Sequence, residues 1–132
     1  MTADVNPPVP RRPRVLLADD YPDMVKAVSR LLALDCEVVG SVADGGGLLE
    51  AAQRLQPDVI VLDLSLPNGF GLEMCRQIVK VHPEIRVIVF TAVGDPDLAQ
   101  RSVEVGASAF VSKLEGNRHL LSTIKRLCAD PG

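Results

Sequence analysis

Tryptophan is absent from the 132 residues, and one tyrosine with three phenylalanines makes up the whole aromatic complement. Since 47% of the residues are apolar, the core has to be built from Val, Leu, Ile and Ala. No apolar run approaches the roughly 18 to 20 residues of a membrane span, and the polar, proline-rich start lacks the form of a signal peptide. Cysteine is sparse. Cys36, Cys75 and Cys128 lie far apart and form no CxxC, which points to free thiols in a reducing cytoplasm and away from disulfides or zinc. His82 and His119 each stand without a second ligand at metal spacing. A basic excess is missing too: the net charge of −3 argues against a nucleic-acid surface as the main feature of the chain.

What is present is a regular alternation, at a length that fits one domain. Residues 1–13, MTADVNPPVPRRP, carry four prolines and no apolar period, so they read as a disordered leader, with a polyproline docking segment as the alternative. RVLLADD (14–20) is a short apolar run, and PDMVKAVSRLLAL (22–34) has the three-four spacing of one helix face at Met24, Val25, Val28, Leu31 and Leu32. Pro22 suits a first helical turn, with Asp20 or Tyr21 at its start. Further strands are expected at 37–43, 58–64, 85–92 and 107–113. Helices are expected at 48–56, 71–82, 96–106 and 117–129, the last with Asn117 as a cap. Residues 130–132 are a tail or the start of a linker. Five strand-helix units predict a parallel sheet with helices on both faces, and right-handed crossovers make it doubly wound.

The polar residues fall at the strand ends. Asp19 and Asp20 follow the first strand, Asp63 the third, Thr91 closes the fourth and Lys113 the fifth. In an open α/β sheet the carboxyl edge is where ligands bind. Each residue has a plainer reading: Asp20 as a helix cap, Thr91 as an ordinary β-branched residue, Lys113 as a solvated strand end, Asp63 as structural. Their coincidence on one edge makes the joint plain reading the weaker one. Carboxylates about 4 Å apart repel by about 4 kcal/mol at an effective dielectric near 20. A divalent cation relieves that repulsion, and oxygen-only ligands favour Mg²⁺, with a backbone carbonyl of the Pro-Asn-Gly turn able to complete the shell. Lys113 and Thr91 add an ammonium and a hydroxyl donor suited to a phosphoryl group, and a central Asp63 is placed to act as a nucleophile.

With those residues in view, the chain resembles a two-component response regulator receiver domain over residues 14 to 129. The resemblance rests on LLADD, VLDLSLPNGFGLE, VIVFTA and GASAFVSK, on the twenty-two-residue spacing of Thr91 and Lys113, and on Phe110 three positions before the lysine. It implies a flavodoxin-like sheet of order 2-1-3-4-5 with five helices. It also implies phosphoryl transfer from a histidine kinase to Asp63, with Mg²⁺ held by Asp20, Asp63, the Ser65 carbonyl and, through water, Asp19. Thr91 and Phe110 would form the switch that repacks the face of the fourth helix, fifth strand and fifth helix. The style of the motifs resembles receivers that precede a helix-turn-helix DNA-binding domain.

The chain departs from the family in three places. Leu114 stands where a proline with a cis peptide is usual; a cis bond before Leu costs about 3 kcal/mol, so a trans bond is expected. Ser65 and Val93 replace polar or acidic neighbours of the acceptor, which suggests slow self-dephosphorylation. Three glycines at 45–47 predict a mobile start to the second helix. A phosphorylation-independent interaction module is the competing reading. A phosphatase lacks its DxDx(T/V) signature and a flavin carrier its Ser/Thr-rich phosphate loop. Leu98, Val103 and Leu121 are candidates for a homodimer contact or for the core.

Overall fold

Residues 12–92 and 95–129 are described in this computed structural model. Most of the expected leader, Val93 and the 130–132 tail lie outside the described residues. Five strands, β1 (Arg14–Ala18), β2 (Glu37–Val42), β3 (Val59–Leu62), β4 (Arg86–Thr91) and β5 (Ala109–Ser112), alternate with α1 (Pro22–Leu32), α2 (Leu48–Leu55), α3 (Leu72–Val81), α4 (Leu98–Glu104) and α5 (Asn117–Cys128). All pairings are parallel and the order is β2-β1-β3-β4-β5, the flavodoxin-like arrangement expected from the sequence.

Side-chain alternation explains why strands this short suffice. Leu16, Ala18, Ile60, Leu62, Val87 and Val89 point to one face, where they pack with Leu48, Ala51 and Ala52 of α2 and with Met74, Cys75 and Ile78 of α3. Val15, Leu17, Val59, Val61, Ile88 and Phe90 point to the other, against Val28 and Leu32 of α1 and Leu120 and Ile124 of α5. Both faces are buried, so the central strands read as unbroken apolar runs. Among the described residues no helix is long and apolar enough to cross a membrane. The three cysteines are free, and burial pushes the Cys75 thiol up to about 11.

Helix ends account for most of the differences from expectation. Pro22 opens α1 as anticipated, but the residue before it, Tyr21, makes no side-chain cap, and neither does Gly116 before α5; Asn117 is the first residue of that helix, not its cap. α4 is shorter than the periodic segment that predicts it. The glycine triplet forms a 3-10 turn, Gly45–Gly47, with Gly45 buried. Gly45 is docked, whereas Gly46 and Gly47 are exposed. Gly106, at φ +103°, follows α4 where a Cβ would meet Val79 Cγ1 at 2.9 Å. Leu98 belongs to the interior and Leu121 packs against the α1–α5 core, whereas Val103 is 61% exposed.

Truncating the central strand should separate core from surface. Ile60→Ala is expected to cost about 2–5 kcal/mol, while Leu34→Ala at an 87% exposed position should stay within about 0.5 kcal/mol. Urea unfolding followed by circular dichroism measures both, and comparable losses would contradict the two-faced core.

Candidate functional site

The parallel ladder delivers the polar residues to one edge. Asp63 directly follows β3, and its N–H donates to the Ala18 carbonyl at 2.9 Å, which sets it beside the end of β1. The Asp19 N–H in turn donates to Val42 O of β2 at 3.0 Å. Thr91 ends β4, and its partner across the ladder, Ser112, immediately precedes Lys113. The backbone therefore fixes four of the five expected residues before any side-chain contact forms.

The side chains then converge. Lys113 Nζ donates to Asp19 Oδ2 at 2.7 Å and to Asp63 Oδ2 at 2.8 Å, a pair of short charge-assisted bonds. Asp63 Oδ1 accepts from Thr91 Oγ1 at 3.2 Å, from Ser65 N at 3.0 Å and from Ser65 Oγ at 2.9 Å. Asp63 is 5% exposed, Asp19 8% and Thr91 wholly buried. Lys113 Nζ also lies 5.7 Å from the centre of the Phe90 ring, a favourable cation–π placement.

Two opposing effects set the charge states. Burial pushes the Asp63 carboxyl upward, but the Lys113 hydrogen bond and the two Ser65 donors outweigh it and hold the group below the usual aspartate value. For Lys113, burial favours the neutral amine, but its bonds to Asp19 and Asp63 raise its pKa above the usual lysine value. The site thus keeps an ionised carboxylate and an ammonium in contact at neutral pH.

Asp20 is exposed and completes the acidic group: Asp19, Asp20 and Asp63 each offer an oxygen, and these atoms all lie within 4.8 Å of one another. An all-oxygen set of this kind fits a hard divalent cation such as Mg²⁺. Asp20, Asp63, Ser65, Thr91 and Lys113 line an open cavity of about 480 Å³ together with Tyr21, Met24 and Ala92. Phe110 is half-buried on β5, paired across the ladder with Val89 and packed against the α2–α3 core. Val89 and Thr91 are two apart on β4, so Phe110 and Thr91 share a face.

Sequence reasoning missed several supports. Ser65 is expected as a carbonyl ligand and as a small neighbour of the acceptor, whereas its N–H and hydroxyl both hold Asp63. The Tyr21 N–H donates to Asp19 Oδ1 at 2.9 Å, and the Ser112 hydroxyl accepts from Leu114 N at 3.1 Å, starting a 3-10 turn, Lys113–Glu115. Local hydroxyl and Asx turns of this kind follow from residue type, although which backbone group is reached does not. Leu114 is exposed, and the described residues contain no cis peptide bond.

The charge states give the site a pH signature. The contribution of Asp63 is complete above the unfolded aspartate pKa of about 3.9 and is lost as pH falls through its depressed folded value. That of Lys113 is complete below about 10.4 and is lost as pH rises through its raised folded value. Asp63→Asn should therefore flatten the fall in stability between about pH 5 and pH 3. Urea midpoints across that range test this, and equal acid slopes in both proteins would contradict it.

Comparison with known proteins extends these observations. The model of the response regulator receiver domain matches residues 15–125. The response regulator GacA of Pseudomonas viridiflava is 31% identical over 118 residues, which cover 88% of this chain and 55% of GacA. The DNA-binding transcriptional activator EvgA of Escherichia coli (strain K12) is 26% identical over 111 residues, covering 83% of this chain and 54% of EvgA. The chain thus spans about half the length of the curated relatives it matches. A two-component response regulator of the LuxR family from Aurantimonas sp. SI85-9A1 superposes with a TM-score of 0.83 at 30% identity, over 89% of this chain and 86% of that one. With its sheet order, its acidic edge and a family match over nearly the whole described region, this chain belongs to the response regulator receiver domains.

Proposed function

We propose that the chain is a phosphorylation-dependent signalling switch whose acceptor is Asp63, charged by a phosphohistidine on a sensor histidine kinase. The observation that carries this reading is the environment of Asp63: buried, ionised, and bonded at once to Lys113 and Thr91. In the transfer, an Asp63 carboxylate oxygen forms the new P–O bond as the P–N bond breaks, and the electron pair returns to the donor imidazole nitrogen. Asp19, Asp20, Asp63 and the Ser65 carbonyl are the groups that would hold Mg²⁺, which when bound offsets negative charge on the phosphoryl oxygens. The Lys113 ammonium and Thr91 hydroxyl then turn from Asp63 to those oxygens.

The readout follows from the sheet. Thr91 is wholly buried, so its movement toward a phosphoryl group frees space on the face it shares with half-buried Phe110. Repacking there reaches α4, β5 and α5, and the exposed Val103 on α4 is a candidate homodimer contact. Residues 14–129 form the receiver unit in this reading, with 1–13 as leader and 130–132 leading toward a linker. The half-length match to GacA and the name of EvgA support an output domain outside this chain that acts on DNA.

Intact mass after incubation with Mg²⁺ and acetyl phosphate tests the chemistry. One phosphoryl group should be gained by the wild type and none by Asp63→Asn; no gain in a folded wild type that binds Mg²⁺ would favour a phosphorylation-independent module. The Ser65 hydroxyl is committed to Asp63, and position 93 is an apolar Val. Neither supplies a group to orient water, so the phosphoryl lifetime should be minutes or longer. Decay within seconds in a mass time course would contradict that.

A further inference from the structure

We propose that Asp44 and Asn68 are positioning residues, a latch through which the turn after β2 holds the loop after β3 and so sets the Ser65 edge of the cation site. The inference rests on the reading of Asp63 and Ser65 as cation ligands. Asn68 Nδ2 donates to Asp44 Oδ2 at 2.7 Å, while Asp44 Oδ1 accepts from Gly46 N at 2.7 Å. One carboxylate therefore organises its own turn and grips the neighbouring loop. Beside it the Gly45 N–H donates to Pro67 O at 2.7 Å. A Cβ on Gly45 would stand 2.3 Å from Gly69 Cα and 2.5 Å from the Asn68 carbonyl, so the two backbones touch with no room for a side chain.

The gripped loop has reason to need holding. From Asp63 it makes two successive tight turns, Leu66 N to Asp63 O at 3.2 Å and Gly69 N to Leu66 O at 3.1 Å. Asn68 and Phe70 both adopt φ of +55°, a region that Asn tolerates and that strains Phe. Phe70 is largely exposed, so its own packing does not stabilise that conformation. Strained backbone persists where its surroundings over-determine it, and the contacts from Asp44 and Gly45 supply that constraint. Ser65 lies inside the first of the two turns, between Asp63 and Leu66. Releasing the far end of the loop at Asn68 frees the Ser65 carbonyl to drift while the Asp63 backbone stays in the ladder.

Tyr21 offers the readout, as the sole tyrosine in a chain without tryptophan and a residue lining the site cavity. Mg²⁺ is titrated against Tyr21 fluorescence, with calorimetry as a second measure, in the wild type, Asn68→Gly, Asp44→Ala, Asp44→Asn and the Asp44→Ala/Asn68→Gly pair. Asn68→Gly keeps the positive φ accessible while deleting the whole side chain, so it provides a second variant if Asp44→Ala does not fold. Either single deletion should raise the Mg²⁺ dissociation constant by roughly threefold to tenfold, below the roughly 10- to 100-fold cost of losing a direct outer-shell partner, and the pair should be no worse than the weaker-binding single variant. Asp44→Asn, whose amide still pairs with an inverted Asn68 amide, should stay within roughly twofold. The Mg²⁺ concentration needed for half-maximal phosphorylation by acetyl phosphate should rise in the same proportion. Deletions that lower urea stability yet bind Mg²⁺ like the wild type would overturn the latch and leave a packing contact. A wild type that neither binds Mg²⁺ nor gains a phosphoryl group would overturn the underlying reading, and the latch with it.

Discussion

One ammonium holds the carboxyl edge of this protein together. Asp19 and Asp63 are both nearly buried, and without Lys113 each would face the other across a few ångströms with little water between them. At 4 Å and an effective dielectric near 20, each attraction to the ammonium is of the same size as the repulsion it offsets, about 4 kcal/mol. Two attractions against one repulsion make the arrangement favourable as long as Lys113 stays between the pair. Asp20, exposed at the rim, adds a third negative charge that Lys113 does not touch among its described contacts. The edge is therefore left electronegative overall. That imbalance suits it to a divalent cation.

The ammonium can occupy that place because the sheet brings its strand to the right level. Lys113 comes from β5, at the far end of the sheet from β2, and reaches Asp19 after β1 across the ends of β3 and β4. Such a reach depends on the register of the intervening strands, which parallel pairing with both faces buried enforces. A one-residue slip of β3 would turn Ile60 and Leu62 from the α2–α3 core to the α1–α5 core and carry Asp63 out of line. Core packing and site geometry are in this sense one constraint, imposed through the period-two alternation of the strands.

The same alternation made the fold readable from the sequence. Val-Ile-Leu runs ending in Asp, Thr or Lys, separated by three-four periodic helices, gave the strand count, the doubly wound class and the edge carrying the polar residues. The convergence of Asp63, Thr91 and Lys113 was legible because chain order and parallel topology leave their strand ends little freedom. What lay beyond reach were contacts between loops. Asn68 reads locally as a turn residue, yet its partner Asp44 is on another loop, and nothing in either segment encodes the pairing. The three glycines looked like a flexible stretch for the same reason: Gly45 is small because Gly69 lies against it, a fact of tertiary packing. Asn117 failed as a cap because residue type permits capping without compelling it.

Strands and loops divide the work of the site unequally. Asp19, Asp63 and Thr91 are anchored by backbone hydrogen bonds at the carboxyl ends of the strands, so their backbones have little freedom to answer a change in charge. Freedom remains in the side chains of Lys113 and Thr91, which now both contact Asp63. Added negative charge beyond Asp63 would draw both outward along short paths while the carboxylate stays in place. A buried hydroxyl cannot move without altering the packing around it, because interiors are too dense to absorb the change in place. Phe110 is a half-buried large side chain on the face it shares with Thr91. In the proposed switch, a rigid backbone edge would convert a local charge event into a packing event on the face that Thr91 shares with Phe110.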